Sequence, residues 1–229
     1  MIRKLFLLSL FFFISACTPL VTGTPPPTPE MIEIAYPPSL SNWANNLHSC
    51  ASLTPEIALT ILETSPSDSE FAEADLTLSF GEPPQGVRGY AASLGEDEIV
   101  VIAGENVNLK QLSFEQLREI YSNPELYQAW TYGAGNELRL IFDRAVLDAV
   151  ALSPETFLAP HPTAMLEAIT KNPMAIGYLP KSWLDGKVHE ISLEEDLQAA
   201  FKQPILVLTG TEPQSPLRVF LACLQNDQP

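Results

Sequence analysis

The chain predicts an α/β fold, with strands alternating with helices around mostly parallel sheets. Two observations carry this. Short apolar runs of strand character recur between segments of helical spacing along most of the 229 residues, the alternation expected of strand–helix–strand units. In addition, Ile99-Val100-Val101-Ile102 is apolar on both faces, as a central strand covered on both sides requires. The sequence carries no internal repeat, and its length suits one large domain or two small lobes with a real core.

The elements follow in order. Residues 31–36 form a strand stopped by Pro37 and Pro38. Ser39 is a good cap for a helix over 40–50, where Leu40, Trp43, Ala44 and Leu47 share one face. Residues 57–62 and 74–80 are strand-like, the second closed by Gly81, Glu82 and two prolines. The central strand is expected over 98–103. Ser113 begins a helix through Tyr121, and Gln116 completes a Ser-x-x-Gln capping box. A strand over 126–132 leads through Gly133-Ala134-Gly135-Asn136 into a helix over 137–150. Leu138, Ile141, Phe142, Ala145 and Val146 keep helical spacing there. A helix over 162–171, strands over 175–179, 188–193 and 205–208, and a helix over 216–224 complete the pattern.

The amino terminus looks like a bacterial lipoprotein leader. Arg3 and Lys4 precede an apolar run over 5–14, then Ser15, Ala16 and Cys17. A basic start, a short apolar stretch and small residues before the cut define a secretory signal. The run is short for a membrane-spanning helix. Cleavage after residue 16 would expose Cys17 for lipid attachment, giving a signal peptide over 1–16 and a lipidated tether over 17–31. The tether includes Thr-Pro-Leu-Val-Thr-Gly-Thr-Pro-Pro-Pro-Thr-Pro-Glu, which cannot pack a core and favours extended polyproline geometry. Its reach is up to roughly 40 Å. The chain is therefore expected outside the cytoplasm, lipid-anchored to a bacterial membrane.

Charge and cysteines narrow the function classes. Losing Arg3 and Lys4 takes the formal charge from −16 to −18, which disfavours nucleic acid and anionic lipid surfaces as partners. With Cys17 acylated, Cys50 and Cys223 remain, and outside the cytoplasm such a pair is expected to form a disulfide. His48, His161 and His189 are scattered, so no metal or other cofactor is expected. No Gly-x-Ser-x-Gly, His-Glu-x-x-His or phosphate-loop signature occurs, so the sequence gives no reason to expect an enzyme.

An ordered set of segments then resembles the phosphate-binding group of ABC-transporter solute receptors, of the type II periplasmic-binding-protein fold. Residues 99–102 resemble that group's interlobe crossing strand. Leu112-Ser113-Phe114-Glu115-Gln116-Leu117 through Ile120-Tyr121-Ser122 resembles its second-lobe helix. Asn172-Pro173-Met174-Ala175-Ile176-Gly177-Tyr178 resembles its return crossing, and residues 204–208 with the helix from Pro216 match its final strand and helix. The resemblance implies a two-lobed fold with an interlobe cleft and two crossings. Lobe one would hold 32–98 plus 188–229, and lobe two 99–187.

The same resemblance locates a ligand site and shows where this chain departs from it. The group's anion turn, a Ser-Gly-Thr before a helix with an arginine nearby, corresponds to Ala134-Gly135-Asn136 here. The serine hydroxyl is gone, no arginine immediately precedes the turn, and Glu137 places a carboxylate in the first helical turn. The first-lobe Gly-Ala-Gly entry is replaced by Pro37-Pro38-Ser39-Leu40-Ser41. Cleft candidates are Ser39, Ser41, Thr64, Ser65, Gly81, Glu82, Gly135, Asn136 and Glu137. Capping and turn chemistry would account for the same residues. If Glu82 and Glu137 converged, the pair would suit a cationic or polyhydroxyl solute. Arg139 and Arg144 are expected to solvate their helix or pair with Asp143 and Asp148.

Two functions fit these expectations. The first is a membrane-anchored solute-binding protein delivering a small molecule to an ABC permease. The second is a lipoprotein that uses the same fold as a sensor, scaffold or assembly partner.

Overall fold

Strand β4 (Tyr90–Ala103) organises the molecule, because its two ends belong to different sheets. The computed structural model describes residues 28–65, 73–83 and 89–226. The expected leader, Cys17 and the tether as far as residue 27 lie outside the described residues. From Tyr90 to Glu98, β4 pairs antiparallel with β10 (Lys202–Thr209). From Ile99 onward it pairs antiparallel with β8 (Ala175–Pro180), and residues 101–103 also pair with β9 (His189–Leu193). Leu94 is the extra residue where the β10 register shifts between Ile205 and Leu206, a bulge that bends the strand between the two sheets.

The first half is built from β1 (Glu30–Tyr36), β2 (Ile57–Glu63) and β3 (Leu76–Phe80), in the order β2-β1-β3-β10-β4. β1 runs parallel to β2 and β3, while β10 returns antiparallel. A 3-10 turn (Pro38–Trp43) and α1 (Ala44–Ser52) connect β1 to β2. The single helix expected over 40–50 is thus split, with the tighter turn starting at a proline that needs no N–H partner. Leu40, Trp43, Leu47 and Cys50 are buried against Ile34, Leu76, Leu78 and the last helix, α6 (Leu217–Asn226). Cys50 and Cys223 are joined by a disulfide with their Cα atoms 5.7 Å apart, tying α1 to α6 across 173 residues of sequence.

In the second half β8 and β4 are flanked by β6 (Gln128–Thr131) and the short β7 (Phe157–Leu158). On the other side β9 pairs with β5 (Gln111–Leu112). Because β9 hydrogen-bonds to β4 and β5, it lies in the second sheet; a division at residue 187 would assign it to the first. The chain reaches the junction at Pro180, opposite Ile99, and turns back. It enters the first sheet as β10, whose Lys202 pairs with Glu98. The chain thus crosses between the halves twice, along β4 at Glu98–Ile99 and again where β10 begins at Lys202. Between β9 and β10 lies α5 (Glu195–Phe201), a helix not anticipated from sequence although Leu197 and Phe201 are buried one turn apart.

Helix α2 (Phe114–Ser122) starts at the expected capping box, Ser113 and Gln116 bonding each other's backbone. The helix expected over 137–150 is shorter. Regular α3 (Glu137–Phe142) passes into a π turn (Asp143–Leu147) and stops at Asp148, with φ 53°. Asp148 N–H donates to the Asp143 carbonyl, and Arg118 Nε donates to the Val146 carbonyl at 2.7 Å. The arginine supplies a partner for a carbonyl at the helix end. Helix α4 (Pro162–Lys171) forms as expected and covers β8. The second core is aromatic: Phe142 stacks on Tyr178 at 4.1 Å, with Tyr121, Tyr132 and Phe201 around them.

Candidate functional site

Two chain segments that each follow a strand meet between the halves. In the first half β1 ends at Tyr36, and Ser39, the second residue of the 3-10 turn, is fully buried. In the second half β6 leads through Tyr132 to Asn136, and α3 begins at Glu137. Gly135 takes φ +91°, a left-handed conformation that glycine adopts without strain. Asn136 Oδ1 caps the helix, accepting from the N–H groups of Leu138 at 3.0 Å and Arg139 at 3.4 Å. Leu138 and Phe142, both buried, anchor the helix and so fix where Glu137 projects.

Glu137 projects across the junction. The Ser39 hydroxyl donates to its Oε1 atom. The residue is 7 % exposed, and Oε2 is buried without a hydrogen-bond partner among the described residues. Desolvation raises the carboxyl pKa above the ordinary glutamate value. The Ser39 hydroxyl, the Glu137 N–H and the Ser39 N–H oppose that shift by favouring the anion. Among the described residues no cation bonds this carboxylate: Arg139 Nε pairs with Asp143 at 2.5 Å and its Nη1 donates to the Tyr132 carbonyl at 3.2 Å.

A 3-10 turn (Lys181–Trp183) at the end of β8 completes the junction. Trp183 Nε1 donates to the Ser39 carbonyl at 2.7 Å, and Asn42 Nδ2 donates to Ser182 Oγ at 2.9 Å. Trp183 was not among the residues the sequence pointed to. Its only signal is general: a partly buried indole needs an acceptor for its N–H. A cavity of about 210 Å³ beside this turn is lined by Trp43, Gly95, Asp97, Lys181 and Ser182.

The remaining candidates fall elsewhere. Ser41 donates to the Pro38 carbonyl at 3.1 Å, so it serves its own turn. Thr64 and Ser65 follow β2, and Thr64 N–H bonds the Tyr36 carbonyl, one strand out from the Ser39 turn. Gly81 packs against the other flank of α3: a Cβ there would lie 3.1 Å from Ile141 Cδ1 and 2.9 Å from Gln203 Oε1. Glu82 is exposed and lines a separate 350 Å³ groove with Ile141, Arg144, Lys202 and Gln203. Glu82 shares that groove with two basic residues, while Glu137 is buried against Ser39. The structure places the two carboxylates in different surroundings.

No family model matches the chain, and no curated protein matches it. Solved structures do. A phosphate ABC transporter substrate-binding protein of Clostridium perfringens, solved with bound phosphate, aligns over 85 % of this chain and 93 % of its own, with a TM-score of 0.71 at 14 % identity. The chain has the type II periplasmic-binding-protein fold. A phosphate transport receptor from Vibrio cholerae shares this fold at TM-score 0.66 and 15 % identity, covering 86 % of this chain and 94 % of its own. The regulatory domain of MetR, a LysR family regulator from N. meningitidis, does so at 0.64 and 15 %, covering 86 % and 92 %. These periplasmic-binding-protein-like neighbours are binding proteins and regulatory domains rather than enzymes. At these identities the likeness establishes the architecture.

Proposed function

We propose that this chain is an exported, lipid-anchored solute-binding protein that takes a small molecule between its lobes and presents it to an ABC permease. The observation behind the reading is the junction itself. Buried polar groups from both halves, Ser39 and Glu137, face each other across a fold entered by two crossings. A leader over residues 1–16, followed by Cys17 and a proline-rich tether, favours display at a membrane surface.

A second reading is supported by the same contact. The Ser39 hydroxyl already bonds one Glu137 oxygen across the two halves, which suits a sensor, scaffold or assembly partner that signals through its surface. Thermal denaturation of the full-length chain in detergent separates the two, using oxyanions, sugars, amino acids, polyamines and divalent metals. A solute at about 100 times its Kd adds roughly 2.7 kcal/mol and moves the midpoint by several degrees. A selective shift supports the receptor. A flat response across the panel favours the scaffold.

A further inference from the structure

Three side-chain hydrogen bonds join one short segment of the first half, the 3-10 turn Pro38–Trp43, to the second half. From the start of α3, Glu137 Oε1 accepts from the Ser39 hydroxyl. From the 3-10 turn after β8, Trp183 Nε1 donates to the Ser39 carbonyl at 2.7 Å, and Ser182 Oγ accepts from Asn42 Nδ2 at 2.9 Å. The gripped turn is fixed to the first-half core through buried Leu40 and Trp43. The two gripping segments are held separately. Leu138 and Phe142 bury the base of α3, whereas Lys181 ties the other turn to β4 and β9, its Nζ 3.6 Å from Glu98 and 3.8 Å from Glu190.

We propose that this junction is a clasp: the protein's own side chains hold its two halves together, so closure does not require a solute. The covalent crossings, along β4 at Glu98–Ile99 and at Lys202, lie side by side as paired strands, the arrangement of a hinge. Contacts away from them then set whether the halves stay together. The clasp is close to balance. Asn42 Oδ1 and Glu137 Oε2 are buried without hydrogen-bond partners among the described residues, and shielding a bare acceptor from water costs about as much as a hydrogen bond returns. Each bond shifts the closed-to-open ratio by roughly two- to tenfold, so losing one or two lets the halves part. Such a clasp serves either function above: an entering solute must displace it in a receptor, and it fixes one surface in a scaffold.

The test is double electron–electron resonance on the solute-free, full-length chain in detergent. Nitroxides are carried on noncanonical side chains at exposed Leu53 in the first half and exposed Leu126 in the second, leaving the Cys50–Cys223 disulfide intact. Wild type is expected to give one dominant distance band. Asn42→Ala combined with Trp183→Phe removes two of the three bonds while keeping Ser39 and Glu137, and is expected to raise the share of a second, displaced band roughly fourfold or more. Asn42→Ala alone, at a half-buried residue, is the comparison should the double variant not fold, with an expected rise of about twofold. A second band that is minor in wild type and grows in either variant supports the clasp. Identical distributions in wild type and variants overturn it, because the crossings and the packing then set the spacing; so does a wild type already divided evenly between the bands. No solute is added, so the thermal panel decides between receptor and scaffold whichever way the clasp falls.

Discussion

The two halves of the molecule bury their cores by different means. The first is mainly aliphatic and covalently braced, with the Cys50–Cys223 disulfide holding α1 against α6. The second contains no cysteine and relies on stacked rings. Phe142 lies parallel to Tyr178 at 4.1 Å, and the tyrosine hydroxyls are all satisfied: Tyr121 by the Trp130 carbonyl, Tyr132 by the Tyr178 carbonyl, Tyr178 by Thr131. The difference bears on the cleft. Ser39 stands on the braced half, whereas the position of Glu137 depends on how one short helix packs into the aromatic cluster.

The strongest way to break this contrast is Phe142→Ala. Deleting a fully buried phenyl ring costs about 3–5 kcal/mol. Urea denaturation should show that loss, and hydrogen exchange should place it in α3, β6 and β8. Protection lost equally in α1 and α6 would mean that the halves are one cooperative unit. Replacing both Cys50 and Cys223 with alanine acts from the other side. Removing a long-range disulfide costs about 2–5 kcal/mol, chiefly by freeing the unfolded chain. Exchange should quicken first in α1 and α6, and unchanged stability would show that packing alone holds those helices.

Much of the first-order architecture was legible in the sequence, for reasons that also explain the misses. The covered strand at Ile99–Ile102, the Ser113 capping box and the strand–helix alternation are local signals, and each reappears in the structure. The early start of β4 at Tyr90 was hidden because residues 90–98 are largely polar or small and gain strand character only from pairing with β10. The π turn that follows α3 carries a partner from afar, Arg118, distant in sequence, bonding the Val146 carbonyl. At the cleft, Ser39, Asn136 and Glu137 were identifiable as residues at element starts. Their meeting, and the part taken by Trp183, required tertiary contacts between segments 98 and 144 residues apart.

Acidity sharpens the comparison at the junction itself. Burial raises the Glu137 pKa, so the folded chain binds this proton more tightly than the unfolded chain does. Such a group contributes stability below the ordinary carboxylate pKa and loses it as pH rises through the raised value. Measured against Glu137→Gln, wild type should therefore gain stability on acidification through that window and lose it toward neutrality. The paired difference cancels the contribution of the many exposed acids. A difference independent of pH would mean that Glu137 carries no shifted proton.

The smallest expected effect compares two helix caps. Asn136→Ala and Ser113→Ala each remove a side-chain acceptor from a helix start and should each cost about 1 kcal/mol. Their global effects should be similar, but their local ones should not. Asn136 holds the turn from which Glu137 reaches Ser39, and the Ser39 carbonyl in turn receives the Trp183 indole N–H. The nitrogen-15 resonance of that indole should move in Asn136→Ala and stay in place in Ser113→Ala. An identical response to both would mean that the cleft contact is set by the body of α3, through Leu138 and Phe142, with the cap contributing only stability.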